Sequence, residues 1–300
     1  MNFLAGAVLA AVRDSLGTQE KENAGKGEEF AFWVLDYVVL PGDPALDDVW
    51  IALTDLLNRP IQHASGATLS IDATAVDIGG HRTEAVKSWV RSRRVRRPMA
   101  VQGAVPNNAP PLGKGRHVDV NWRGQYDKRG VLLYAVGTVA IKHTLYAQLS
   151  LDADRQTAWE NAPEGPDKPA APLRHGHFSD QLPEGYFPGL ISEVFNPSTN
   201  RFEKRRGGVR NEPLDTWVYA HAATHHPELR LHRATQADWE RWARELAARA
   251  PVSQPGADVA AAASGAPPAP VPPDGEAADH KAGRWISYHT RRAPHTRGHR

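Results

Sequence analysis

The stretch Arg210-Asn211-Glu212-Pro213-Leu214-Asp215-Thr216-Trp217-Val218-Tyr219-Ala220 limits what this chain can fold into more than any other. Proline fixes φ near the helical value and lacks an N–H that a first-turn residue could not pair anyway, so it is favoured at the first helical position. The stretch therefore reads as a helix entry, with Pro213 at N1 and Glu212 or Asn211 at the cap. Glu212 and Asp215 stand three apart and leave the first turn on the same side. Leu214, Trp217 and Val218 turn toward a core. Two carboxylates presented from a packed helix start can hold a divalent cation. The same two acids also serve to cap the helix and complement its dipole, and spacing alone favours this simpler role.

With 300 residues, 41% of them hydrophobic, the chain supports one domain of ordinary size with appendages. Formal net charge is only +2 and the pI is 8.8, and the charge is uneven, with basic residues gathered in runs. There is no cysteine, so disulfides and cysteine-based zinc sites are excluded and a reducing compartment fits. No apolar run reaches transmembrane length. The apolar start, Met1 to Val12, lacks the basic region of a signal peptide. Gly113-Lys114-Gly115 lacks the hydroxyl of a phosphate-binding loop, so ATP hydrolysis by that route is not expected.

Along the chain, residues 13–28 show no period and read as loop or disorder. Phe30 to Leu40 reads as a strand, and Asp43-Pro44 as the cap and first residue of a helix with Leu46, Val49, Trp50, Leu53, Leu56 and Leu57 as its apolar stripe. Leu69 to Val76 reads as a strand, followed by Asp77-Ile78-Gly79-Gly80-His81 and a helix from Thr83. Strand, acid, glycine turn, helix is the α/β pattern that collects polar groups at the carboxyl end of a strand. Asp77 thus stands at a site or caps the next helix, and spacing does not separate the two. The run Arg91-Ser92-Arg93-Arg94-Val95-Arg96-Arg97 either solvates a helix C-terminus or grips phosphate with guanidinium forks.

Further on, Met99 to Val101 and Val131 to Val136 read as strands, Ala140 to Leu149 as a helix carrying Lys142, and 152–176 as a polar loop. His177-Phe178 begins a short ordered stretch. Tyr186 to Phe195 reads as helical and Arg201 to Arg206 as a strand. His221 and His225 are i, i+4, a spacing that suits zinc, although no acid follows at metalloprotease spacing. Thr235 with Asp238 makes a capping-box-like start for a helix through Arg249. Residues 251–283 form an Ala/Pro/Gly-rich linker, and 284–300 a basic tail whose Trp285 and Tyr288 suit docking.

Several of these segments, in this order, resemble the nuclease domain of the large terminase subunit of lambda-type tailed phages. They are Phe32 to Tyr37 with Gly42-Asp43-Pro44, Val76 to His81, Gly137 to Lys142 with Leu145-Tyr146, His177-Phe178 with Tyr186-Phe187, and Arg210 to Asp215 with Val218-Tyr219-Ala220. The resemblance implies an α/β, RNase H-like mixed sheet flanked by helices over residues 29–226, a C-terminal helix over 227–250, and a divergent segment over 1–28. It also implies an endonuclease that cuts double-stranded DNA in packaging, with Mg²⁺ or Mn²⁺ ions held by acids. Asp77 resembles the acid after the central strand and Glu212 the acid of the late Asn-Glu motif. Asp215 follows one turn on, as a ligand or as a residue that orients one. Arg93, Arg94, Arg96, Arg97, Lys142, Lys204, Arg205, Arg206 and Arg210 would grip the DNA backbone. The implied partners are DNA, the portal protein through the tail, and the small terminase subunit, in the cytoplasm of a bacterial host.

Two departures stand out. The family places an aspartate on a strand before the Trp-containing one; here Asp14 is the nearest candidate and its flanks do not match. The family also places an acid where this sequence has Val139. The ATPase half is not represented. These features imply a truncated or decayed nuclease domain of prophage origin, or else a non-catalytic DNA-binding or packaging-assembly module that keeps the fold.

Overall fold

The computed structural model describes residues 31–63, 65–80, 82–119, 130–166, 168–205 and 207–249, together with the backbone of 2–4 and 9–11. The expectations for most of residues 1–28, for Asp14 and for 251–300 lie outside the described residues.

The elements in chain order are β1 (Asn2–Leu4), β2 (Leu9–Ala11), β3 (Phe32–Val34), β4 (Val39–Pro41), α1 (Asp47–Leu57), β5 (Ile61–Gln62), β6 (Thr68–Leu69), β7 (Thr74–Asp77), α2 (Thr83–Ser92) and β8 (Pro98–Gly103). They continue with β9 (Arg116–His117), β10 (Leu132–Val136), α3 (Thr138–Glu160), β11 (Gly176–Phe178), α4 (Tyr186–Leu190), β12 (Glu193–Asn196), β13 (Arg201–Lys204), α5 (Glu212–Ala223) and α6 (Gln236–Arg249). The central sheet has the order β7-β8-β10-β9, parallel across the first three strands and antiparallel at β9. A second mixed sheet runs β11-β3-β2, and β12-β13 is a hairpin. The architecture is thus a mixed α/β sheet flanked by helices.

Alternation along the central strands explains why both faces are covered. Met99, Val101, Tyr134 and Val136 point to one face, where they join Phe32, Val34, Leu145, Tyr186, Leu214 and Trp217. Ala100 and Leu133 point to the other, against Trp50 and Leu53 of α1 and Val86, Trp89 and Val90 of α2. A strand buried on both sides reads as a continuous apolar run, and β8 does. Trp217 has no exposed surface, and truncating it to alanine would cost about 3–5 kcal/mol. That packing presses α5 onto β7 and α3.

Several boundaries differ from those read in the sequence. The Phe30–Leu40 strand is two strands, with 35–38 between them, and Leu69–Val76 is likewise split into β6 and β7. Asp43 forms a turn, its carboxylate accepting from Ala45 N–H at 2.9 Å, and the helix starts at Asp47. The 152–176 loop is a helix as far as Glu160. Its polar residue Asp152 is buried and accepts from the N–H groups of His175 and Gly176 and meets His175 Nδ1 at 2.6 Å, tying α3 to β11. Tyr186 to Phe195 divides into α4 and β12, because the Asn196–Asn200 turn makes Val194 and Phe195 one arm of a hairpin. Thr235 and Asp238 do form the expected reciprocal cap, with Thr235 N–H to Asp238 Oδ2 at 2.9 Å and Asp238 N–H to Thr235 Oγ1 at 3.3 Å. No helix among the described residues is long and apolar enough to cross a membrane.

Candidate functional site

Asp77 is the last residue of β7, and its Oδ1 accepts from Gly79 N–H at 2.9 Å, which sharpens the turn off the strand. Asn211 caps α5, its carbonyl accepting from Asp215 N–H at 3.0 Å, so Glu212 rather than Pro213 occupies N1. The packing of α5 on β7 brings Asp215 into electrostatic contact with Asp77. Tyr219, one turn further along α5, lies close to Asp77; burial first, and then the two aspartates, hold its phenol well above the ordinary value. Asp77 and Asp215 therefore flank Tyr219 at the carboxyl end of a parallel strand, where α/β sheets place their ligands.

Sequence reading missed one member of this cluster. Glu193, the first residue of β12, is buried and meets Lys142 Nζ at 2.7 Å. Lys142 also lies 3.6 Å from Asp215 Oδ1. Asn211 Nδ2 completes the network, donating at 3.0 Å to Glu193 Oε1 and at 3.0 Å to Asp215 Oδ2. The pKa of Asp215 is raised to about 6, chiefly by burial; Lys142 opposes the shift, while Glu193 and Asp77 add to it. A helical reading of 186–195 hid Glu193, although the Asn-Pro-Ser-Thr-Asn turn that follows is a hairpin signal.

Glu212 has neighbours of its own. Its Oε1 accepts from Arg210 Nε at 3.2 Å, its charge helps to hold Tyr37 above the ordinary phenol value, and its Oε2 is buried without a hydrogen-bond partner among the described residues. The structure thus pairs Asp77 with Asp215 and sets Glu212 beside Tyr37 and Arg210. Asp36 is exposed, its Oδ1 accepting from Tyr37 N–H at 2.7 Å.

The spacing between α4 and α5 depends on Gly189. A Cβ there would stand 2.5 Å from Pro213 Cγ and 3.0 Å from Arg210 O, so only glycine allows the first turn of α5 to lie this close to α4.

The basic residues divide. Lys142 is buried in the acid network, not on an outer face as expected of a phosphate-gripping lysine. Arg93 and Arg94 are exposed at the end of α2. Arg96 pairs with Asp72 at 3.0 Å, and Arg97 with Glu228 at 2.9 Å. Arg97 precedes by four residues Val101, the register partner of Asp77, so the run lies ~13 Å away along the strand, at the amino edge of the sheet. Lys204 is exposed; Arg205 Nε donates to Glu193 O at 3.2 Å, Arg210 pairs with Glu212, and Arg206 lies outside the described residues.

The donor set bears on the implied cations. Among the described residues no three His, Cys, Asp or Glu side chains stand close enough to cage a metal. Mg²⁺, however, usually binds through one or two carboxylates and fills its remaining positions with water and substrate phosphate. The Asp77–Asp215 pair fits one such ion in kind and number. The histidines fit zinc poorly: His225 stacks on His232 with ring centres 4.2 Å apart, and His221 lies on Trp217 at 5.2 Å.

The fold is an α/β domain that places this acidic cluster at the carboxyl end of a parallel strand. Residues 20–239 match the family described as terminase large subunit gpA, endonuclease domain, and the chain belongs to that family. Over 201 residues it is 28% identical to the large terminase subunit of Enterobacteria phage P21, a stretch covering 66% of this chain and 28% of that protein. The chain thus spans little more than a quarter of the relative it matches. No solved structure matches.

Proposed function

We propose that this chain is a metal-dependent endonuclease domain that cuts double-stranded DNA during phage packaging, on an RNase H-like scaffold. The observation that carries this reading is that the packing of α5 on β7 brings Asp215 and Tyr219 into electrostatic contact with Asp77. Asp77 and Asp215 would hold the cation. A divalent ion bound there supplies Lewis-acid polarisation of a phosphodiester and charge for the departing oxygen. Asn211 and Lys142 orient Asp215 and offset part of its charge. Glu212, with an unpaired buried oxygen, is the candidate for holding a second ion or a water, with Tyr37 beside it. Of the basic residues singled out in the sequence, Arg93, Arg94 and Lys204 are exposed and without an ion pair among the described residues, and so are available to the DNA backbone. The portal and small subunit remain the proposed partners.

The test is plasmid nicking in Mn²⁺. Wild-type cutting that disappears in Asp77→Asn and Asp215→Asn supports the reading. That no three-acid cage forms among the described residues favours a second reading, a DNA-binding module that does not cut. Salt-sensitive DNA binding with no cutting at any Mn²⁺ or Mg²⁺ level would establish that one instead.

A further inference from the structure

Beside the acid network lies a cleft of ≈ 280 Å³ at the carboxyl ends of β8 and β10, and Lys142 forms part of its wall. We infer that this cleft is a nucleotide subsite, taking one unstacked nucleotide of a DNA strand with its base against Phe202 and its phosphate on Arg201. The choice of a DNA strand over a free nucleotide rests on the proposed function; the nucleotide chemistry rests on the cleft itself.

One wall is the loop that leaves β8. It is firmly held: Ala104 N–H donates to Val136 O at 2.7 Å, Ala109 N–H to Pro106 O at 3.3 Å, and Gly137 N–H to Pro110 O at 3.0 Å. This backbone holds Val105 out at the rim, 81% exposed. An aliphatic side chain fixed in solvent beside a polar cleft suits a sugar or a base edge. Asn107, from the same loop, is half-buried in the cleft, and its amide has no hydrogen-bond partner among the described residues.

The facing wall is the β12–β13 hairpin. Phe202 packs on His143 with ring centres 4.9 Å apart and on Phe195 at 5.4 Å, so its ring is held in place while it lines the cleft. Arg201 is exposed next to it, and its guanidinium has no ion-pair or hydrogen-bond partner among the described residues. An aromatic ring, an unpaired guanidinium and an unpaired amide are the complement of a base face, a phosphate and a base edge. At ≈ 280 Å³ the cleft lies just below the usual range of ligand pockets and has room for about one nucleotide. Lys142 is common to the cleft and to Asp215, so a nucleotide seated here continues the strand toward the acid pair.

The test is DNA binding by the full chain in EDTA, so that cutting does not contribute. A duplex with a short single-stranded overhang is compared with a blunt duplex of equal length, and thymidine monophosphate is titrated separately. The subsite predicts tighter binding of the overhang, and a loss of that preference by about tenfold in Phe202→Leu and in Arg201→Ala. Thermal melting confirms that each variant folds, and Arg201, being exposed, keeps the test open if Phe202→Leu does not. Equal affinities in the wild type, or a preference that survives Arg201→Ala, overturn the inference. If no DNA binds but thymidine monophosphate does, with the same sensitivity, the subsite stands and serves a free nucleotide. If neither binds, it falls. Failure to cut plasmid leaves this readout untouched.

Discussion

Replacing Lys142 tests the acid network directly. The side chains of Lys142 and Glu193 are only 10% and 6% exposed, and they meet at 2.7 Å. Lys142→Met keeps the length of the side chain and removes its charge, leaving the Glu193 carboxylate buried with only neutral support from Asn211. Removing one partner of a buried pair costs about 3–5 kcal/mol, roughly 10 °C in melting temperature for a domain of this size. The reverse change is milder. Glu193→Leu leaves Lys142 with Asp215, 3.6 Å away, so less charge is stranded. The double variant removes both charges of the pair and leaves only the part-exposed Asp215 without its lysine, so it should recover most of the loss, since apolar replacements of buried pairs are often neutral. Urea unfolding followed by far-ultraviolet circular dichroism near neutral pH gives all four stabilities. A Lys142→Met loss under about 1 kcal/mol, or a double variant as unstable as the sum of the singles, would refute the pairing argument.

Two further outcomes are expected. Burial lowers His221 from 6.5 to about 4, so between those values the unfolded chain binds a proton that the folded chain refuses. Stability is therefore full above 6.5 and falls as the pH drops, by roughly 3 kcal/mol for this group; melting curves across that window should be flatter in His221→Leu. At Gly137 a Cβ would overlap the carbonyl oxygens of Ala109 and Pro110. Gly137→Ala should thus cost about 1–3 kcal/mol and displace the loop that forms one wall of the cleft, visible as a drop in melting temperature and altered amide signals over 104–113.

What the sequence disclosed is uneven for physical reasons. The α5 entry was legible because proline and the apolar spacing of Leu214, Trp217 and Val218 are local signals, and the Thr235–Asp238 cap for the same cause. The Asp77 turn was legible because an acid and two glycines directly follow an apolar run. The family followed from the order of several weak motifs, and the match over residues 20–239 supports it. Which acids meet was not legible. Glu212 and Asp215 are equivalent by spacing, and only the packing of α5 on β7 brings Asp215 into electrostatic contact with Asp77 and sets Glu212 beside Tyr37 and Arg210. Lys142 read as a surface cation because its charge shows in the sequence, while Glu193, fifty-one positions away, does not announce itself as its partner. Asp152 made a helix look like a loop for a similar reason: its compensation comes from the backbone of His175 and Gly176, far along the chain.

The missing side chain at position 189 has a reach beyond its own neighbourhood. Arg210 and Pro213, which would collide with a methyl group there, bracket Asn211, and Asn211 is the bridge that ties Glu193 to Asp215. The ionic behaviour of this corner of the molecule is thereby governed by an atom that is not there. A substitution chosen for its chemical innocence, Gly189→Ala, would pry two helices apart and retune carboxylates it never touches.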